Sequence, residues 1–206
     1  MEEQSPLDSR QMPLFPLSSL VMPEGRLPLR IFETRYVDMV RDCFRRGDGF
    51  VVCAISEGAE VGSAAQPSAI GCSVEIVDWD QDDRGLLTIV ARGVRKVRIV
   101  SSSVLDSQLV VGQVIDLPEE VSQPVDPEHQ ILQQAMEQIL DQIAPSIQYD
   151  EPRLDDALWL GSRFVELLPL PLEERLALME LDDPQARLQQ LVGWLHALSQ
   201  GRGGSS

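Results

Sequence analysis

Residues 13–43 read PLFPLSSLVMPEGRLPLRIFETRYVDMVRDC, and this stretch sets the expectations for everything around it. Pro13-Leu14-Phe15-Pro16-Leu17 is apolar and extended. Its two prolines cannot donate to a central ladder, so it reads as an edge strand. Pro23, Gly25 and Pro28 then punctuate a loop. From residue 31 the period becomes helical, with Phe32, Tyr36, Met39 or Val40, and Cys43 recurring on one face. Arg41, Arg45 and Arg46 crowd the last turns of this predicted helix over 31–46, where cations suit the dipole, and Gly47 is its natural stop.

Downstream, the signals turn to β. Phe50 to Ile55 is a short apolar run, the mark of a buried strand, and residues 57–68 are small and polar, as in a loop. Ile70 to Trp79 is a long strand candidate. Asp80-Gln81-Asp82-Asp83-Arg84-Gly85 has hairpin chemistry, and Leu86 to Ala91 is the return strand. Gly93 introduces a further strand over Val94–Val100, and Leu109 to Leu117 completes the set. Five or six short strands around one helix predict a closed or nearly closed small barrel.

Residues 118–127 are proline-rich and acidic and read as a linker. Beyond them the period is 3.6. Asp126 caps a helix with Pro127 at its first position, and Ile131, Leu132, Ala135, Ile139 and Ile143 form its apolar stripe. A second helix is predicted over 154–168 and a third over 172–181. Asp183 and Pro184 open a fourth, with Leu188, Leu191, Leu195 and Leu198 facing inward. Residues 201–206 read as a flexible tail. Strands first and helices second argue an α+β chain. The predicted parts are 1–117, the linker 118–127, a helical part 128–200 and the tail.

The formal net charge is −16, and it is unevenly spread. Residues 117–206 hold sixteen acids and five bases, against seventeen and twelve in residues 1–116. So acidic a surface repels nucleic-acid backbones and acidic membranes. It reads as a well-solvated acidic surface or, more sharply, as one that attracts basic or unfolded partners. Cys43, Cys53 and Cys72 form no CxxC pair, the N-terminus lacks the basic and apolar run of a signal peptide, and no stretch approaches a membrane span. A cytoplasmic protein with reduced thiols is the expectation.

Catalytic and cofactor signatures are missing from the sequence. The single lysine, Lys96, follows Arg95, so no Gly-Lys-Ser/Thr phosphate loop exists, and a Ser–Lys dyad would have to use a strand residue. His129 and His196 sit in predicted helices without a Gly-x-Ser-x-Gly elbow. Three scattered cysteines and two distant histidines lack zinc spacing. Asp80, Asp82 and Asp83 lack the downstream bidentate glutamate of a calcium loop. The expectation is no enzyme, no cofactor and no metal.

The opening stretch resembles that of the Lon protease N-terminal domain family, which shares a PLFPL run, a proline–glycine turn, LPL and an IFE-x-RY helix followed by glycine. Here these are residues 13–17, Pro23 to Gly25, Leu27-Pro28-Leu29, Ile31-Phe32-Glu33 with Arg35-Tyr36, and Gly47. Val61-Gly62, Gly71, Gly93 to Ile99, Glu166-Leu167-Leu168-Pro169-Leu170 and Asp182-Asp183-Pro184 with Arg187-Leu188 resemble later family signatures. Glu24 stands between the proline and the glycine, a departure from the family turn.

The resemblance covers roughly residues 12–198. It implies a PUA-like β-barrel with one helix followed by a helical bundle, without the ATPase and peptidase regions of Lon. It also implies recognition of polypeptide substrates, with exposed or unfolded segments as partners. Residues 13–17 are the candidate border of a peptide groove, and Phe15, Leu29, Phe32 and Tyr36 are either core or an apolar patch at the barrel mouth. Arg35, Arg92 and Arg95 are candidates for acidic groups, with Arg35 and Arg95 alternatively pairing internally with Glu33 or Glu75. The rival expectation is an adaptor or regulator docking through its acidic helical half on a larger machine such as a Lon-type protease. A weaker one is a small hydrolase using a cysteine or serine.

Overall fold

The computed structural model describes residues 9–83, 85–143, 149 and 151–201. The expectations for residues 1–8, Arg84, the Leu198 side chain and residues 202–206 lie outside the described residues. The chain is α+β and divides into two compact units, Met1–Glu119 and Glu120–Ser206.

Among the described residues, the first unit carries one six-stranded sheet and one α-helix. In chain order these are β1 (Arg10–Leu17), β2 (Arg26–Ile31), α1 (Thr34–Arg46), β3 (Phe50–Glu57), β4 (Gln66–Gln81), β5 (Leu87–Val104) and β6 (Val110–Asp116). The strand order is β2-β5-β4-β3-β1-β6, and a further pairing joins β5 to β6. The ladders β5-β4-β3-β1-β6 therefore close into a ring, with β2 attached to β5 outside it. Leu14, Val51, Cys53, Val97, Val110 and Val114 form a buried core cluster contributed by four strands, β1, β3, β5 and β6. Each leucine or valine of this cluster contributes about 1.5–3 kcal/mol on burial.

Against expectation, β1 is not an edge. It pairs antiparallel with β6 over Arg10–Leu14 and parallel with β3 over Leu14–Leu17. Leu14 is the changeover. Pro13 faces Val111 and Pro16 faces Cys53, so each proline has a neighbour on one side only in these registers. A strand that changes partner midway accommodates two missing donors that an ordinary central strand would not.

The predicted helix over 31–46 begins later. Ile31 belongs to β2, and α1 starts at Thr34 with Glu33 as its N-cap. Tyr36, Met39, Val40 and Cys43 are its buried face, as the spacing predicts, while Phe32 precedes the helix and is 62% exposed. The helix stops at Gly47 (φ +68°), whose N–H donates to the Cys43 carbonyl at 2.9 Å. Upstream, the Gly25 N–H donates to the Met22 carbonyl and Glu24 takes φ +66°. The residue that departs from the family turn thus occupies a conformation that favours glycine.

The strands predicted over 86–91 and 94–100 are one continuous β5. Gly93 is needed within it because a Cβ there would lie 2.0 Å from the Met22 carbonyl oxygen.

In the second unit, a 3-10 turn (Pro127–His129) leads into α2 (Gln130–Ile143), followed by α3 (Ala157–Leu167), α4 (Leu172–Glu180) and α5 (Pro184–Gly201). The stripe of α2 is rotated from the predicted one: Leu132 and Met136 are buried, whereas Ile131 is exposed. The Asp156 carboxylate caps α3 by accepting from the Leu158 N–H, and Asp183 caps α5 by accepting from Gln185. Three buried arginines brace this unit. Arg163 pairs with Glu166 at 3.0 Å, and Arg175 donates to the Val165 and Glu166 carbonyls. Arg187 donates to the carbonyls of Leu178 and Leu181 and pairs with Glu120 at 2.8 Å.

Candidate functional site

The distinctive surface of the first unit grows out of one long strand. β4 has sixteen residues, but β3 pairs with it only as far as Val74. Its remaining residues, Glu75–Gln81, pair with β5 alone. The outer edge of that segment is open among the described residues.

Antiparallel alternation sends the N–H groups of Trp79 and Gln81 away from β5, toward the open side. Neither is left bare. The Asp78 carboxylate accepts from the Trp79 N–H and the Asp80 carboxylate from the Gln81 N–H, each at 2.8 Å. Aspartates thus occupy the positions where another strand would bond, a common way of shielding an exposed edge.

Beside the edge lies an apolar groove of about 340 Å³ between α1 and the β4–β5 hairpin. Val37, Phe44, Trp79 and Leu87 supply its apolar walls. Phe44 and Trp79 meet edge to face with ring centroids 6.1 Å apart, yet they stay 46% and 59% exposed. Phe32 directly follows Ile31, which is in register with Leu87 of the groove. A second hollow of about 460 Å³ shares Phe44 and runs past Val74, Glu75 and Ile76, the inner end of the open edge. Exposed aromatics beside an unpaired strand edge are the elements from which extended-peptide sites are built.

The charges around the groove divide sharply. On α1, Arg41 pairs with Asp38 at 3.5 Å and Arg45 with Asp42 at 3.0 Å. At the inner end of the edge, Arg92 pairs across the ladder with Glu75. At the outer end, Asp78, Asp80 and Asp83 have no cation partner among the described residues.

The seven residues expected to bind do not assemble into one surface. Phe15 and Tyr36 are buried, their ring centroids 4.1 Å apart, and Phe15 also packs on Phe50 at 5.8 Å. Leu29 is buried opposite Ile89. The patch of four at a barrel mouth therefore does not form; Phe32 alone of that set is exposed, because it lies between β2 and α1 rather than on the helix face. Arg35 is buried against the Tyr36 ring, pairs with Glu33 at 2.9 Å and donates to the Gln108 carbonyl at 3.0 Å. Burial pushes the Tyr36 hydroxyl above its ordinary pKa, and Arg35 partly opposes the shift. Arg92 takes Glu75, while Arg95 pairs with Glu119 and lies 4.0 Å from Asp116. Glu75 is thus the partner of Arg92 and not of Arg95.

Sequence reasoning missed Phe44 and Trp79. Phe44 falls off the helical stripe, and Trp79 was absorbed into a strand pattern. The available signal was a tryptophan embedded in Asp78-Trp79-Asp80-Gln81-Asp82-Asp83, where every neighbour is polar.

No reactive thiol accompanies the groove. All three cysteines are free and buried. Burial, with Asp48 adding to it, pushes the Cys43 thiol up to about 12, and burial alone does the same for Cys53. Such thiols stay protonated and are poor nucleophiles. Among the described residues, Asp126, Glu128 and His129 bring three potential metal-ligating atoms within 4.8 Å. The ring nitrogens of the buried His129, however, lie 3.1 Å from Gln185 Oε1 and 3.0 Å from Gln189 Oε1, so both are already engaged. In the hairpin, the Asp80 and Asp82 carboxylates accept backbone N–H groups. Among the described residues, no helix is long and apolar enough to cross a membrane.

Residues 11–197 match the family described as the ATP-dependent protease La (LON) substrate-binding domain. No curated protein matches the chain significantly. Among solved structures, the chain is similar to the Lon N-terminal domain protein from Xanthomonas campestris. The two share 40% identity over 90% of this chain and 98% of that one, with a TM-score of 0.75. It is also similar to the N-terminal domain of the Mycobacterium avium complex Lon protease, at 16% identity, 90% and 97% coverage and a TM-score of 0.60, a likeness of fold alone.

Proposed function

The chain belongs to the LON substrate-binding domain family, and from that premise we propose that it is a non-enzymatic, cytoplasmic polypeptide-recognition module that captures exposed or unfolded segments. In this reading residues 1–117 form a PUA-like barrel that carries the site, 118–127 a linker, and 128–200 a helical bundle. The observation that carries the reading is the open edge of Glu75–Gln81 beside the exposed Phe44–Trp79 pair.

An extended segment adds to this edge as a further strand. Its backbone bonds supply affinity without sequence preference, and its alternate side chains enter the groove. Phe32 extends the apolar surface at the rim. The buried Phe15, Tyr36 and Arg35 fix α1, Leu29 packs in the β2–β5 ladder opposite Ile89, and Arg92 holds Glu75 at the inner end of the edge.

The test is calorimetric titration of the full chain with a sixteen-residue peptide of alternating Leu or Phe and Ser. Trp79→Ala is expected to weaken binding about thirtyfold, about 2 kcal/mol, as for an aromatic hot spot, with the chain still folded at the titration temperature. Equal affinity in the wild type and Trp79→Ala would remove the groove from the function.

A further inference from the structure

We propose that this groove selects basic-flanked apolar segments: a large apolar side chain seated between Phe44 and Trp79, with Lys or Arg on the neighbouring residues pairing with Asp78, Asp80 and Asp83. The proposal rests on the groove being the polypeptide site and names the class of segment it takes.

Two observations converge on it. The first is the distribution of compensation. Asp38, Asp42 and Glu75 around the groove each hold an arginine of the same chain. Asp78, Asp80 and Asp83, at the outer end, hold none among the described residues. Three carboxylates without a cation partner among the described residues thus lie along the strand and turn that wall the groove, Asp78 and Asp80 alternating with the groove-lining Trp79 and Gln81. An added strand that seats an apolar side chain in the groove turns its neighbouring side chains to the face of Asp78 and Asp80, and is favoured when these are cationic.

The second is where two of these carboxylates sit. Asp78 and Asp80 accept the N–H groups of Trp79 and Gln81, the donors an added strand uses on the open edge. For a client carbonyl to reach those donors, the carboxylates must swing aside. A cationic client side chain gives the displaced carboxylates a new partner. A neutral client leaves them to solvent, and an acidic client meets them with like charge. The same two residues therefore shield the edge from indiscriminate pairing and admit basic-flanked chains preferentially.

The experiment uses three synthetic peptides sharing a central Leu-Phe-Leu, flanked on both sides by Lys, Ser or Glu, titrated into the full-length chain. The Lys-flanked peptide is expected to bind about tenfold tighter than the Ser-flanked one at low salt, and the Glu-flanked one more weakly still. The Lys advantage should collapse at high salt, because exposed charges are screened. The combined variant Asp78→Asn, Asp80→Asn, Asp83→Asn keeps side-chain acceptors for the two N–H groups. It should bind the Lys-, Ser- and Glu-flanked peptides with affinities that converge, losing the Lys preference. Equal binding of the three peptides, or a Lys preference that persists in the Asn variant, overturns the proposal while leaving the groove as a polypeptide site. No binding of any peptide overturns the site and the proposal together.

Discussion

The two halves of β4 are made of the same backbone and behave oppositely. Ile70–Val74, in its inner half, lies between β3 and β5 and is buried. Glu75–Gln81 keeps only β5 and is mostly exposed. The inner half is packed so closely that Gly71 has no room for a Cβ, which would meet the Val52 carbonyl oxygen at 2.6 Å. The outer half holds Trp79 and two carboxylates, Asp78 and Asp80, without cation partners among the described residues, in an open border. One strand thus serves as scaffold at one end and as site at the other, and loss of a single neighbour, β3, marks the transition.

The largest expected effect comes from forcing the inner half apart. Gly71→Val collides with backbone on β3 and should destabilise the fold by about 3 kcal/mol or more in urea unfolding. Trp79→Ala, in the outer half, should cost less than about 1 kcal/mol by the same measurement. If the two substitutions cost alike, the halves are not energetically distinct.

A smaller effect tests the edge itself. Gln81→Pro deletes an N–H that points away from β5, so the ladder survives while strand addition is blocked. Peptide affinity should fall about tenfold, from one backbone bond and the altered edge, with circular dichroism unchanged. Undiminished affinity would place the client's backbone elsewhere.

The smallest effect is a titration in the strand flanking the inner half. The Cys53 thiol on β3 is raised from 9.0 to about 12 by burial. A raised folded pKa means that the unfolded chain loses its proton first. The contribution is complete below pH 9 and is lost progressively between pH 9 and 12. The alkaline fall in Tm should therefore lessen in Cys53→Ala; an identical profile would show that the thiol is not held protonated by the core.

Much of the scaffold was legible in the residues. The α1 face of Tyr36, Met39, Val40 and Cys43, the Gly47 stop and the Asp183-Pro184 start of α5 follow from local chemistry that needs no distant partner. The β4–β5 hairpin is also local, since turn residues report themselves. β1 was misread because prolines signal an edge, whereas the fold gives this strand two partners in succession. Ile131 was misassigned because periodicity fixes the width of an apolar stripe better than its angle. Sequence reasoning assigned no structural role to Arg163 or Arg175 and met Arg187 only within a family signature. Their targets are mostly helix-end carbonyls, whose positions no sequence pattern reveals.

The sequence by itself determined the family resemblance, the α+β order of elements, the acidic charge and the poverty of catalytic motifs, because each is carried by residue identity or short-range spacing. Only the tertiary structure decided that Phe15, Leu29 and Tyr36 are core while Phe44 and Trp79 are surface. It alone ended β3 at the level of Val74 and so left Glu75–Gln81 of β4 open on one side. Exposure and open edges depend on which distant segments arrive to cover a residue, and that is a property of the folded chain rather than of any stretch within it.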